Sequence, residues 1–336
     1  MEVSILDLVT VSSGSTPADS LSNMFDLARR AEKLGYKRYW LSEHHNMPGI
    51  ASSAPEILIG QIARETSIIR VGSGGIMLPN HSPLKVAEWF QTLEALFPGR
   101  IDLGIGRAPG TDPRTALALR RSAELARAVD LPSQLADLFA YSENNFPEGH
   151  PFKSVTAVPF GISLPPVWLL GSSDFSAHLA AELGLGFVYA HHINDVEAVS
   201  SMRAYRERFK PSKYLDRPQA MLAVSVICAE TSRHAEELAT SQDLVSLRIT
   251  RGERTYIPSP EEASAYPYSM GEWETVRHNR SRRFIGDVGS VHGRLVKLVE
   301  ETLADELMVV TMVYDHAARV RSYELLAGAF GIRKEL

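Results

Sequence analysis

At 336 residues the chain is long for one average domain and ordinary for an eight-fold α/β barrel that carries insertions. Its composition, 44% hydrophobic and 22% charged, supplies enough apolar material for a substantial core and excludes disorder as a global description. Lys plus Arg number 35 and Asp plus Glu 40, so the formal charge of −5 gives no whole-molecule attraction to nucleic acid or to an anionic membrane, and a small neutral or anionic partner in a local site fits better.

Short β-branched runs alternate with longer amphipathic stretches, the pattern of parallel βαβ units. Ser4 to Val9 predicts a first strand. Ser20 to Leu34 carries Leu21, Met24, Phe25, Leu27, Ala28, Ala31 and Leu34 at helical spacing, and Gly35 stops it. The unit recurs with strand Arg38 to Ser42 and helix Pro55 to Thr66, then strand Ile68 to Ser73 and helix Pro83 to Leu96, closed by Pro98-Gly99. Ile101 to Ile105 predicts a fourth strand, and Pro113 to Phe139 is helical with Pro132 as an internal boundary. Tyr141 to Leu164, rich in Asn, Pro and Gly, reads as an ordered insertion. Strand Pro166 to Leu170, helix Ser176 to Leu183, strand Gly186 to Ala190, helix Val196 to Phe209 and strand Ala220 to Cys228 follow. A second insertion is expected at about 250–285, then helix Ser290 to Leu303, strand Glu306 to Val313 and a terminal helix Ala317 to Phe330. Eight such pairs suit a closed (β/α)8 TIM barrel, one domain over 1–336, better than an open doubly wound sheet. The single cysteine, Cys228, excludes an intramolecular disulfide and a cysteine-rich zinc site, and points to a reducing cytoplasm. No secretory signal is expected in Met1 to Val11, and no run of about 18 apolar residues suits a membrane span.

In a parallel barrel the loops after the strands converge on one face, so the strand ends hold the candidate chemistry. Glu43-His44-His45-Asn46 after the second strand is the densest polar group. Alternation puts Glu43 and His45 on one face and His44 on the other; a general acid or base, an orienter, a metal ligand or plain loop hydrogen bonding could come from them. Gly74 and Gly75 after the third strand allow close approach of a flat ring, or serve a turn. Arg107, in Gly104-Ile105-Gly106-Arg107-Ala108-Pro109-Gly110, can grip a phosphate, its rival role being to tie loops to Asp102 or Asp112. Gly171-Ser172-Ser173 precedes a helix and offers an anion site or an ordinary N-cap. The first strand ends near Asp7 to Thr10 and the sixth at His191-His192.

With these residues in hand, the chain resembles the luciferase-like monooxygenase superfamily, in particular its single-chain alkanal-monooxygenase-like bacterial branch. Four separated stretches carry the resemblance: Tyr39 to Asn46, Val71 to His81, Pro98 to Gly110, and Tyr314 to Tyr323. It implies FMN bound with its ring near strands two to four and its phosphate near Arg107 and Ser172-Ser173. Reduced FMN, delivered by a separate NAD(P)H-dependent flavin reductase, would react with O2 to oxidise a small hydrophobic substrate. His44 matches the catalytic histidine and Glu43 a ring-proximal carboxylate. Gly74 and Gly75 fall beside the ring. Asp7 and Gly171 are counted with the cofactor-binding positions, and His45, His191 and His192 with the substrate. A homodimer is likewise implied. Gly106 stands where luciferase has a reactive cysteine, so light emission does not follow, and Gly171 replaces the carboxylate that precedes its phosphate serine. The 250–285 segment, with Tyr256, Tyr266, Tyr268 and Trp273, is expected as a lid over the flavin. Rival readings are an F420-dependent oxidoreductase and a flavin-binding barrel without turnover. Metal-assisted hydrolysis is set aside because carboxylates at the other strand ends are sparse.

Overall fold

The computed structural model describes residues 1–122 and 130–332. Twelve helices and ten strands are found among them, labelled here in chain order. The strands are β1 (Glu2–Asp7), β2 (Arg38–Leu41), β3 (Arg70–Ser73), β4 (Ile76–Met77), β5 (Ile101–Gly106), β6 (Val167–Gly171), β7 (Gly186–Ala190), β8 (Ala220–Ala229), β9 (Arg283–Asp287) and β10 (Glu306–Val310). The helices are α1 (Pro17–Leu34), α2 (Pro55–Glu65), α3 (Pro83–Leu96), α4 (Pro113–Arg120), α5 (Leu131–Glu143), α6 (Asp174–Leu183), α7 (Ala198–Arg208), α8 (Ser232–Thr250), α9 (Pro260–Ala265), α10 (Met270–Ser281), α11 (Val288–Thr302) and α12 (His316–Phe330).

Eight strands close the expected barrel. The parallel path runs β1-β2-β3-β5-β6-β7-β8-β10, and β10 returns to β1 with Glu2 opposite Glu306. β4 lies beside the outer end of β5, and β9 pairs with the second half of β8, Ser225 to Ala229, outside the closed ring. That second duty explains why β8 is ten residues long and buried throughout. Strands covered on both faces read as largely apolar runs, as β8 does with Ser225 its one polar residue.

Alternation along the strands sorts side chains into two layers. Ile5, Tyr39, Val71, Leu103, Leu169, Phe187, Leu222 and Leu307 face the helices. Leu6, Trp40, Trp168, Val188, Met221 and Met308 fill the barrel. At its N-terminal end the filling turns ionic: Arg38 bridges Asp102 at 2.8 Å and Glu306 at 3.1 Å, Arg70 reaches Asp102 at 2.6 Å, and Trp40 Nε1 donates to Asp102 at 3.1 Å. Charges removed from water are tolerable there because every carboxylate faces a cation.

Several boundaries move for local reasons. Thr16 and Asp19 form a reciprocal capping box, so the first helix starts at Pro17, ahead of Ser20. The Asp7 carboxylate accepts from Val9 N–H at 2.7 Å and Val9 adopts φ 53°, ending β1 two residues early. The helix expected over Pro113 to Phe139 is two, α4 and α5; residues 123–129 lie outside the described residues. Asp130 accepts from Ser133 N–H at 3.2 Å and caps α5, which runs to Glu143 and absorbs the start of the 141–164 segment. Within 250–285 stand α9, α10 and β9, so much of that segment is regular structure. Among the described residues no helix is long and apolar enough to cross a membrane.

Candidate active site at the C-terminal mouth of the barrel

The loops after β2, β3 and β5 are tied together backbone to backbone. His45 N–H donates to the Gly110 carbonyl at 3.2 Å, and the Thr111 hydroxyl donates to the His45 carbonyl at 2.8 Å. A Cβ on Gly110 would stand 2.7 Å from the Glu43 carbonyl oxygen, and its φ of +65° suits glycine, so this approach requires that residue. Gly75 is confined in the same way, its Cβ position lying 2.7 Å from the Gly104 carbonyl oxygen. The bond between Gly74 and Gly75 is cis.

Glu43 and His45 share one side of the extended segment, as alternation demands. Glu43 is 1% exposed; it accepts from His45 Nε2 at 2.8 Å, His81 Nε2 at 2.9 Å and Met77 N–H at 2.8 Å. Burial pushes its pKa up, but the hydrogen bonds from His45, His81 and Met77 outweigh it and bring the carboxyl down to about 2. The group is therefore an anion at neutral pH with a fixed orientation. His44 turns the other way. Its Nδ1 lies 3.0 Å from the Ser42 hydroxyl, which leaves Nε2 as the nitrogen available to a ligand. Burial lowers its pKa to about 4, Glu43 opposes that, and nearby His45 and His192 reinforce it, so the ring is neutral at pH 7.

Arg107 lies beside the start of the helix that follows Ser172-Ser173. The Arg107 guanidinium carbon sits 4.4 Å from the centroid of Phe175, the second residue of α6. Neither rival carboxylate holds it: Asp102 is occupied by Arg38 and Arg70, and Asp112 accepts from Asn46 at 2.9 Å and Thr115 at 2.7 Å. Ser173 is the N-cap of α6, and its side chain makes no capping bond. Gly171 lies against the Ser176 hydroxyl with no room for a Cβ.

Two expectations are revised. Asp7 points outward into the helix layer, is fully buried, and spends its oxygens on Val9 N–H, the Tyr39 hydroxyl and Arg319 of α12, leaving nothing for a cofactor. None of the aromatic residues expected as a lid, Tyr256, Tyr266, Tyr268 and Trp273, lines the cavity beside His45. Tyr266, Tyr268 and Trp273 stack on one another, and Tyr266 exchanges hydrogen bonds with Arg251 and Glu272. It is instead 252–257 that reaches the site, anchored where Ile257 N–H donates to the Val11 carbonyl at 2.9 Å. That stretch helps line a cavity of about 320 Å³ with His45, Met47, Ile50, Ile249 and Met312.

His192 and His191 part company. The Ala223 carbonyl, 3.2 Å from His192 Nδ1, can only accept, so that nitrogen carries the proton and Nε2 is the base. His191 is 6% exposed and packs on Phe284 at 5.7 Å, and burial lowers its pKa to about 4. His81, Ser42 and Phe175 were not singled out from the sequence. His81 could have been found as a polar residue just beyond a strand end, but Ser42 and Phe175 carry no signal until the fold places them.

The fold is a closed parallel barrel, and Glu43, His44 and Arg107 stand at the C-terminal ends of its strands. Residues 1–325 match the family model of the luciferase-like monooxygenases. A luciferase-like monooxygenase of Escherichia coli strain K12 is 44% identical over 334 residues, covering 99% of this chain and 97% of that protein. The N-acetyl-S-alkylcysteine monooxygenase of Bacillus subtilis strain 168 is 35% identical over 332 residues, 98% of both. The crystal structure of apo-MsnO8 superposes with a TM-score of 0.90 at 41% identity, covering 98% of each chain. The chain belongs to the luciferase-like monooxygenase family.

Proposed function

We propose that this protein is an FMN-dependent monooxygenase that uses reduced flavin and O2 on a small hydrophobic substrate. The observation that carries this is Arg107, free of any carboxylate partner among the described residues and stacked on Phe175 at the uncapped start of α6. Two-point contact from the guanidinium, the Ser172 and Ser173 hydroxyls and the helix N–H groups would hold the phosphate. Small residues at Gly74 and Gly75 would let the ring approach the wall. When bound, reduced FMN supplies the two electrons with which one atom of O2 enters the substrate and the other leaves as water. His44 offers a neutral Nε2 to take up or deliver a proton beside the ring. Glu43 fixes the loop that carries His44, through His45 and His81. The cavity of about 320 Å³ beside His45, with Met47, Ile50, Ile249, Ile257 and Met312 in its wall, suits an apolar substrate. A separate flavin reductase and a homodimeric, cytoplasmic setting belong to the same proposal.

Anaerobic titration with reduced FMN and, separately, with F420 tests it. FMN should bind and F420 should not. Arg107→Ala should weaken FMN binding by about 1.5–3 kcal/mol, roughly 10- to 150-fold, the worth of hydrogen bonds to a charged group. An unchanged affinity, or a preference for F420, would overturn it.

A further inference from the structure

The cavity of about 320 Å³ at the mouth is built from the loops after β2 and β5 and the stretch 252–257, and closed behind by α8 and Met312. Its body is apolar, so the few polar side chains in its wall decide what else an occupant must carry. A hydroxyl or amide that has given up its protons can only accept, and the donors of this wall are spent one by one. Thr111 gives its hydroxyl proton to the His45 carbonyl at 2.8 Å, and Thr255 gives its own to the Tyr256 carbonyl at 3.1 Å. Asn46 donates from its amide nitrogen to Asp112 at 2.9 Å and to Thr115 at 2.7 Å, which leaves its side-chain oxygen. The remaining side-chain donor, Arg254, stands at the rim, 59% exposed and 3.8 Å from Asp112. Glu253 beside it lies 3.8 Å from Arg251, so the rim charges balance.

His45 is the most constrained of these groups. The buried Glu43 carboxylate, which can only accept, lies 2.8 Å from His45 Nε2, so the ring proton sits on that nitrogen and Nδ1 presents a lone pair. Nδ1 has no partner among the described residues, and unlike Nδ1 of His191 and of His316 it is not sealed from solvent. We propose that this cavity selects an apolar molecule bearing an uncharged O–H or N–H group, which donates to His45 Nδ1. The inference rests on the proposed function only in taking the cavity as the substrate's. Glu43 strengthens the contact, because hydrogen bonds in a chain polarise one another and the carboxylate on Nε2–H makes the far nitrogen a better acceptor. An ether or a carbonyl compound, whose polar atoms only accept, would face acceptors in turn and leave Nδ1 unmade.

Naphthol and methoxynaphthalene share one body and differ in the donor, so their dissociation constants on the whole protein, measured with and without FMN, isolate the contact. Naphthol should bind about 3- to 10-fold more tightly, the worth of one hydrogen bond. It should also move the His45 Nδ1 resonance upfield in long-range nitrogen-proton spectra, while the ether leaves it in place; His45→Phe assigns that resonance by its loss. The same variant keeps an aromatic ring in the wall and should bring the affinity ratio close to one, chiefly by weakening naphthol. Equal affinities in the parent, an Nδ1 resonance that naphthol does not move, or a preference retained in His45→Phe would overturn the contact. A naphthol preference that stands when FMN fails to bind supports the contact and sinks the cofactor assignment alone.

Discussion

Asp7 offers the sharpest separation between a structural and a cofactor role. It forms a fully buried ion pair with Arg319, with side-chain exposures of 0% and 6%, and also accepts from Val9 N–H and the Tyr39 hydroxyl. Asp7→Asn leaves the guanidinium inside the helix layer without a counter-charge. Breaking a buried pair from one side typically costs about 3–5 kcal/mol, because the survivor keeps its desolvation penalty and loses its compensation. At roughly 2–4 °C per kcal/mol for domains of about 150–250 residues, and somewhat less for a longer chain, the Tm should fall by about 5–10 °C. The double variant Asp7→Leu, Arg319→Met removes both charges, so it should regain at least part of that loss. Urea unfolding and thermal melts give the stabilities, and FMN titration well below the melting range gives the affinity. The expected result is a large stability loss with FMN affinity kept. Unchanged stability together with weakened FMN binding would refute the structural assignment and return Asp7 to the cofactor.

Glu43 should be a source of acid sensitivity. Its pKa falls from the ordinary 4.5 to about 2, worth about 3 kcal/mol of stability that is complete above pH 4.5 and disappears as pH drops towards 2. Glu43→Gln should be less stable at neutral pH and show a flatter urea-midpoint profile across that window; a profile as steep as the parent's contradicts the assignment. His44, lowered to about 4, should stay neutral through the physiological range, and because the unfolded chain takes up its proton more readily, stability should fall as pH drops from 6.5 to 4. Proton NMR of the ring, assigned with His44→Gln, should show a midpoint near 4. A midpoint near 6.5 would mean the ring is not desolvated.

Neighbouring groups at the mouth are held in different ways. The anion Glu43 and its two imidazole donors make a fixed bracket, whereas His44 hangs from Ser42 alone and keeps one nitrogen free. Relatives of 35–44% identity that are named monooxygenases share this whole length of chain.

Much of the barrel was legible in the chain order because local forces write it. Fully buried parallel strands must be apolar runs, and helices that cover them must show a 3.6-residue stripe, so β2, β5 and β7 fall where the pattern predicts. The pairing of Glu43 with His45, and the opposite course of His44, likewise follow from the two-residue period of an extended segment. What the sequence could not carry were the partners supplied by remote segments. Arg319 lies 312 residues from Asp7, and its arrival changed a strand-end carboxylate from a candidate ligand into a buried strut. His81 reaches Glu43 across 38 residues, and Phe175 meets Arg107 only because the loops after β5 and β6 are neighbours in the closed ring. Propensity and periodicity act over a few residues and so decide which elements form. Which side chains meet depends on closure of the barrel, a property of all eight strands together, and only the tertiary structure contains it.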